Sequence, residues 1–276
     1  IGQFGIGLLS CFMVTEEILM ITQSAKTDYA LKWRGKDDGT YSLEKIEQRS
    51  KIGTTVYIRL KENLDYLFDA SSVRELLSKY GELLHFPILF HNQKEETTIT
   101  INIPDNPLEM EFEDEETAKN YYMTFGHNMF RKDFLAAIPI RTPSGDTTGV
   151  AFIEKEVVPA SAKQSNRVYL KRMLVSDKID NLLPSWAFFV KAVINSKSLR
   201  PTASRERFYQ DDYLRKTRNQ LGRYIRNYLM SLRKDNPILL QEIIQTHSHS
   251  MKLIAEHDTA FFKMIVKYIE FPTSMG

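Results

Sequence analysis

Three observations predict an α/β fold in two parts. Short segments alternate apolar and polar residues with a period of two, as in residues 54–60, which is typical of a half-buried strand. Longer segments carry an apolar stripe at helical spacing, most clearly residues 210–234. Between the two parts, residues 104–116 combine two prolines with a run of acidic residues. Such a composition is typical of a linker, so we expect a domain boundary there.

The first part, residues 1–103, is predicted to be an incomplete α/β layer of mostly antiparallel strands with one covering helix. The helix is expected at residues 71–86, because its apolar residues share one stripe and Pro87 ends it. The strands are expected at residues 18–22, 29–33, 54–60 and 97–101.

The second part, residues 117–276, is predicted to be an α/β sandwich followed by helices. Its first helix carries Tyr121, Phe125 and Met129 on the apolar side. A loop containing Pro201 precedes the long helix at 210–234, and residues 237–272 are expected to be helical. Strands are expected near 134–139, 148–153 and 167–174, with a short helix at 184–192.

Composition limits the classes of function. The chain has 276 residues, with 37 basic and 35 acidic side chains and a net charge of +2. Its overall field therefore attracts neither nucleic acid nor an anionic membrane, and no apolar run approaches the roughly 20 residues of a membrane span. The single cysteine, Cys11, excludes an internal disulfide and fits the cytosol. We expect it to be a small core residue.

The opening residues form a glycine-rich motif, Gly-x-x-Gly-x-Gly, at positions 2, 5 and 7. Glycine allows the backbone to approach a ligand closely. The apolar run at 8–14 would place the motif at a helix N-terminus, where free N–H groups and the dipole favour an anion. We interpret it as half of a phosphate site whose other half lies upstream; a structural turn is the alternative.

Three further groups of residues bear on chemistry. The segment Ser-Arg-Glu at 204–206 places Arg205 just before the long helix, where a guanidinium could reach an anion held by another domain. The alternative is an ion pair with Glu206 or Asp211. The basic face of the long helix is expected to be solvated. His247, His249 and His257 lack a cysteine or carboxylate at metal-ligand spacing, so we predict no zinc site.

The order of these motifs resembles the Hsp90 chaperone family, close to its bacterial HtpG branch. The resemblance covers the whole chain: the end of an ATP-binding domain and a middle domain. It is carried by Ile-Gly-Gln-Phe-Gly-Ile-Gly at 1–7, Gly-Thr at 53–54, Arg-Val-Tyr-Leu-Lys-Arg at 167–172, Leu-Pro-Ser-Trp at 183–186, and Ser-Arg-Glu at 204–206.

The resemblance implies the end of a two-layer α/β ATP-binding domain at 1–103, a linker at 104–116, and an α/β/α middle domain with a helical C-terminal part at 117–276. It also implies ATP and Mg²⁺ as ligands. Thr54 would reach the adenine end through water, and Arg205 would contact the γ-phosphate as the catalytic arginine. The phosphates would be held by Gly2, Gln3, Gly5, Ile6, Gly7 and Leu8.

The same resemblance implies an ATP-dependent chaperone of the stress response that binds unfolded or partly folded client proteins, with no nucleic-acid or membrane partner. Homodimerisation would use a C-terminal domain beyond residue 276. The water-activating glutamate and the magnesium ligands would lie upstream of residue 1. We therefore expect this chain alone to bind ATP no more tightly than about millimolar and to be inactive.

The chain departs from the family pattern at three places. Leu8 stands where phenylalanine is usual, Tyr209 where a glutamine is expected (Gln210 follows), and residues 200–203 differ from the usual loop sequence. Two rival functions remain. One is a DNA-acting ATPase of the mismatch-repair or topoisomerase type, which the balanced charge disfavours. The other is a protein-binding platform whose nucleotide site has decayed.

Overall fold

The computed structural model describes residues 7–49, 51–102, 106–202 and 207–269. Helices and strands are mixed throughout, which confirms the α/β class. The chain divides into two compact units, Ile1–Glu75 and Leu76–Gly276. This division precedes the predicted linker, because Leu83 is buried in a core cluster of the second unit. The assignments of domains to residue ranges stay predictions.

The first unit holds a four-stranded antiparallel sheet in the order β3-β2-β1-β4. Its strand β3 was not expected, because five of its six residues are exposed and it lacks an apolar face. A five-residue 3₁₀ helix, Leu9–Met13, precedes β1. The strands are β1 (Thr15–Gln23), β2 (Ala30–Lys36), β3 (Tyr41–Ile46) and β4 (Gly53–Leu60).

Helix α1 (Ala70–Gly81) begins where predicted but ends five residues early. The Asp69 carboxylate caps it by accepting from the backbone N–H groups of Ser71 and Ser72. Leu76 and Tyr80, which belong to the predicted apolar stripe, are about half exposed.

The second unit contains a hairpin of β5 (Leu89–Asn92) and β6 (Thr97–Thr100), and a five-stranded sheet in the order β10-β9-β11-β8-β7. Strand β11 pairs antiparallel with β8 and parallel with β9, whereas the other pairs are antiparallel. The strands of the sheet are β7 (Phe134–Arg141), β8 (Thr147–Glu154), β9 (Asn166–Leu170), β10 (Met173–Ile179) and β11 (Val190–Ser196).

Two predicted elements in this sheet are wrong. The single strand expected at 167–174 is a hairpin, because Lys171 and Arg172 take φ values of 50° and 70°, which suit a tight turn between β9 and β10. The helix expected at 184–192 is a 3₁₀ turn, Ser185–Ala187, followed by β11. Its apolar run is buried on both faces, and periodicity alone does not separate such a strand from a buried helix.

Four helices complete the second unit, each begun by a polar side chain. Asp114 and Asp211 accept from the N–H of Thr117 (2.7 Å) and Leu214 (2.9 Å) respectively, and Asn236 and Asp258 cap the last two helices. Such caps satisfy N–H groups that have no partner within the helix. The helices are α2 (Glu115–Phe130), α3 (Asp212–Asp235), α4 (Pro237–His257) and α5 (Thr259–Ile265).

The sheet is buried on both faces, as strand β8 shows. Val150 and Phe152 belong to one core cluster, which the side chains of α2 cover. Ala151 and Ile153 belong to the other, together with buried residues of α3, α4 and α5. Because alternate residues of a strand point to opposite faces, helices cover both sides of the sheet. The second unit is therefore an α/β/α sandwich that continues into helices, as predicted.

Phe152 is the centre of an aromatic cluster on the α2 side. It is fully buried, and its ring centroid lies 5.0 Å from that of Phe134, 5.9 Å from Phe130 and 6.5 Å from Phe125. Gly126 allows α2 to approach the ring, because a Cβ there would lie 2.5 Å from it. This packing fixes α2 against the sheet.

Candidate functional site

The described part of the glycine motif is Gly7 and Leu8; Gly2, Gln3, Gly5 and Ile6 lie outside the described residues. Gly7 is exposed, and a Cβ at this position would have no atom of the described residues within 4 Å beyond its chain neighbours. Its carbonyl accepts from the Ser10 hydroxyl at 2.7 Å, and the Leu8 carbonyl accepts from the Cys11 N–H at 3.1 Å. These bonds begin the 3₁₀ helix at 9–13. So short a helix aligns few peptide dipoles, so its dipole contributes little to binding an anion. The predicted phosphate site stays a prediction.

Thr54 lies near the start of β4, exposed, with its hydroxyl 2.8 Å from that of Thr22 on β1. The glycine motif joins β1 at the opposite end, where Thr15 pairs with Leu60. About 20 Å of strand separates Thr54 from that junction, at about 3.3 Å per residue. The described residues therefore place Thr54 and the junction at opposite ends of the β1–β4 pair.

The loop that carries Arg205 has its two ends joined. Pro201 and Phe208 form an antiparallel bridge, and the Thr202 N–H donates to the Arg207 carbonyl at 2.9 Å. Phe208 is buried, which anchors the second arm in the core. Arg205 itself, with Ser204 and Glu206, lies outside the described residues. Both Tyr209 and Gln210 are exposed. Their exposure therefore does not show which of them takes the place of the glutamine expected from the family pattern.

The basic face of α3 has partly structural roles. Arg218 donates from Nε (3.1 Å) and Nη2 (2.6 Å) to the Asn181 carbonyl, and the Arg226 guanidinium lies 5.7 Å from the Trp186 ring. Arg215 and Arg223 are exposed. The predicted solvated face is confirmed for these exposed residues, whereas Arg218 holds the turn after β10.

The motif at 167–172, which contributed to the family resemblance, is structural. Arg167 Nε donates to the Tyr169 hydroxyl at 2.7 Å, and that hydroxyl donates to Glu82 at 3.2 Å. Arg172 forms an ion pair with Glu109. Burial raises the pKa of Tyr169 and that of Glu82, which keeps the phenol protonated as a donor. The motif therefore fastens the segments that contain Glu82 and Glu109 to the sheet.

His247 is a core residue. It is 1% exposed, its ring stacks on that of Phe189 with centroids 5.3 Å apart, and its Nε2 lies 2.9 Å from the Glu154 carbonyl oxygen. Because a carbonyl only accepts, Nε2 carries the proton. Burial lowers the pKa of His247, so the folded protein holds it neutral.

This burial predicts a pH dependence of stability. An unfolded histidine titrates near pH 6.5. Below that pH the unfolded chain therefore binds a proton at this side chain, whereas the folded chain does not. The free energy of unfolding should therefore fall by about 1 kcal/mol between pH 7.5 and 5.5 and be flat at higher pH for this group. Urea titrations of His247→Gln should show a smaller fall, and the exposed control His249→Gln should behave like wild type. An equal fall in all three proteins would assign the effect to other groups.

Two features are absent from the described ranges. No three or more histidine, cysteine, aspartate or glutamate residues there are grouped to hold a metal ion, and no helix there is long and apolar enough to cross a membrane. Cys11 is a free thiol and only partly buried, so the prediction that it is a core residue is wrong.

A groove in the second unit was missed at the sequence level. It has a volume of about 680 Å³ and is lined by parts of the acidic segment, by β7 and by Tyr224 of α3. The sequence analysis interpreted the acidic segment only as a linker. The feature of the sequence that could have indicated the groove is the pair of apolar residues between the acidic ones, Met110 and Phe112.

Part of the chain is similar to a known protein family. Residues 148–276, a little under half of the chain, match the family model described as "Hsp90 protein". This range includes β9–β11, the Arg205 loop and helices α3–α5. The match, together with the relatives, supports the resemblance predicted from the order of the motifs.

The curated relatives are bacterial proteins named "Chaperone protein HtpG". The one from Clostridium acetobutylicum is 27% identical over 86% of this chain and 41% of its own length. The one from Rhodococcus jostii is 27% identical over 86% of this chain and 40% of its own. The one from Chlorobium chlorochromatii is 26% identical over 99% of this chain and 44% of its own. The chain thus spans about two fifths of the length of these relatives.

Proposed function

We propose that this chain is the ATPase-coupling part of an HtpG-type molecular chaperone, which binds unfolded or partly folded proteins and couples ATP hydrolysis to domain closure. The observation that carries the proposal is the family match over 148–276, the range that contains the Arg205 loop. The relative from Chlorobium chlorochromatii, which is named a chaperone protein, matches 99% of this chain. The proposed location is the cytosol, and the proposed full-length form is a homodimer.

In this proposal, Arg205 delivers a guanidinium to the γ-phosphate when the two domains dock. A cation supplied by a moving element stabilises the charge that spreads over the transferred phosphoryl group. Hydrolysis then depends on closure, because the cation reaches the phosphate only in the closed state. The hydrogen-bonded base of the loop, Pro201 with Phe208, supports this role, since it holds together the two ends of the segment that contains Arg205.

Gly7 fits the phosphate end of the proposed site. A ligand phosphate could approach its backbone closely, because the space where a side chain would stand is open. Bound ATP would supply the phosphoryl group, and Mg²⁺ would neutralise its charge. The described residues supply backbone N–H groups and the Thr54 hydroxyl, and we assign no magnesium ligand to this chain.

The proposal is tested by changing Gly7 in the full-length protein. Gly7→Val places a side chain where the ligand would lie, and its Cβ meets no atom of the described residues within 4 Å beyond its chain neighbours. We expect ATP affinity, measured by calorimetry, to fall at least tenfold while the melting temperature stays the same. ATP should also change how wild type, but not the variant, suppresses aggregation of a chemically unfolded protein, measured by light scattering. If the wild-type protein suppresses aggregation equally with and without ATP, the result would favour a protein-binding platform without ATPase activity. If the wild-type protein does not suppress aggregation at all, the chaperone proposal is contradicted.

A further inference from the structure

The groove in the second unit combines apolar walls with an acidic rim. It lies between the segment that precedes α2 and the edge strand β7. Met110 and Pro139 contribute exposed apolar surface, and Phe112 and Tyr224 are half-buried within it. An apolar surface of this kind, open to solvent in a groove, is a feature of sites that bind other molecules.

The rim of the groove is negative. Glu111, Glu113 and Glu115 are exposed, and the only cation among the described residues that line it is Arg141. Arg141 donates to the Glu109 carbonyl at 3.1 Å and lies 4.0 Å from Glu111. The whole chain carries a net charge of +2, so this negative field is local to the groove.

Helix capping explains only part of the acidic run. Asp114 is the N-cap of α2, and Glu115 lies in its first turn, where a negative charge stabilises a helix. Glu111 and Glu113 precede the cap and contribute nothing to the helix. The Glu111 side chain is 91% exposed, so the fold does not require its charge. These two carboxylates are therefore available to a partner.

We propose that this groove binds extended segments of unfolded client proteins that carry basic and apolar side chains. This inference rests on the proposed chaperone function and gives it a binding surface. Apolar side chains of the client would cover Met110 and Phe112. Its lysines or arginines would pair with Glu111 and Glu113, and a guanidinium can also stack on the Tyr224 ring. Exposed ion pairs add modest affinity each, so the charges select among clients whose binding depends on apolar burial.

The first test compares peptides on the 276-residue chain by fluorescence anisotropy. The probes are labelled twelve-residue peptides that alternate leucine with arginine, with serine, or with glutamate. We expect the arginine peptide to bind at least tenfold more tightly than the serine peptide and to lose that advantage in high salt. The difference in affinity between the arginine and glutamate peptides should be larger still. Equal affinities for all three peptides would overturn the proposal.

The second test locates the binding. The double substitution Glu111→Gln/Glu113→Gln should weaken the binding of the arginine peptide three- to tenfold and leave the binding of the serine peptide unchanged. The control Glu242→Gln/Glu256→Gln removes two exposed carboxylates of α4 and should change neither. Met110→Ser should weaken both peptides, because it removes apolar surface. An unchanged arginine peptide in the Glu111/Glu113 variant, or self-association of the chain that blocks the groove, would contradict the proposal.

These results separate the groove from the chaperone function. If the full-length protein suppresses aggregation but the Glu111/Glu113 variant is indistinguishable from wild type in both assays, only the groove assignment fails. If the wild-type protein suppresses no aggregation, the proposed function itself fails.

Discussion

Arg205→Ala in the full-length protein should lower the rate of ATP turnover at least tenfold and leave the affinity for ATP nearly unchanged. A cation that contacts the γ-phosphate mainly in the closed state stabilises the transition state more than the bound ground state. The loss should therefore appear in kcat, with KM almost constant. Steady-state turnover and calorimetric titration with a non-hydrolysable analogue measure the two quantities separately.

The matched control is Arg215→Ala, which removes an exposed guanidinium of α3 whose ion pair is with Asp212. It should leave both quantities within about twofold of wild type, the range expected for an exposed ion pair. If Arg205→Ala instead weakens ATP binding and leaves turnover unchanged, Arg205 is a ground-state ligand. The coupling of hydrolysis to closure would then need another residue.

Phe152→Ala should cost about 3–5 kcal/mol of stability, the range for truncating a buried phenylalanine. The ring is fully buried among Phe125, Phe130 and Phe134, so its removal leaves a cavity between the sheet and α2. Urea unfolding of the 276-residue chain should show a lower midpoint, and the melting temperature should fall by roughly 10 °C.

Phe86→Ala is the control for this substitution, since Phe86 is 81% exposed and its removal leaves no cavity. We expect a change within about 0.5 kcal/mol, as for surface positions in general. A loss under 1 kcal/mol for Phe152→Ala would mean that the cluster repacks, and the account of how α2 is held would be wrong.

Sequence patterns identified the elements whose environment is one-sided. Helix α3 buries one apolar stripe and exposes the rest of its surface, and it lies within a few residues of its predicted position. The elements that failed lack such contrast. Strand β3 is exposed almost throughout, and β11 is buried on both faces. Periodicity in the sequence indicates a difference in burial between the two faces of an element, and the two faces of each of these strands do not differ in this way.

The candidate site was predictable in its residue types and less so in its geometry. The glycines and Arg205 follow from motif order, which belongs to the sequence alone. The placement of Thr54 at the far end of β4 from the junction of the glycine motif depends on strand register, and no local pattern specified that register. The groove is lined both by Tyr224 and by residues of the acidic segment. These parts of the chain are about a hundred residues apart, and only tertiary folding brings them to one site.

The pairing of β11 has a consequence during synthesis on the ribosome. Strands β7 with β8, and β9 with β10, can each form as a local hairpin as soon as they emerge. The two hairpins have no direct ladder between them; β11, the last strand to be made, joins β8 on one side and β9 on the other. Until residue 196 has left the exit tunnel, both hairpins keep an unpaired inner edge, and such edges promote association between nascent chains. During synthesis this chain therefore passes through a stage in which it is itself an aggregation-prone, incompletely folded polypeptide.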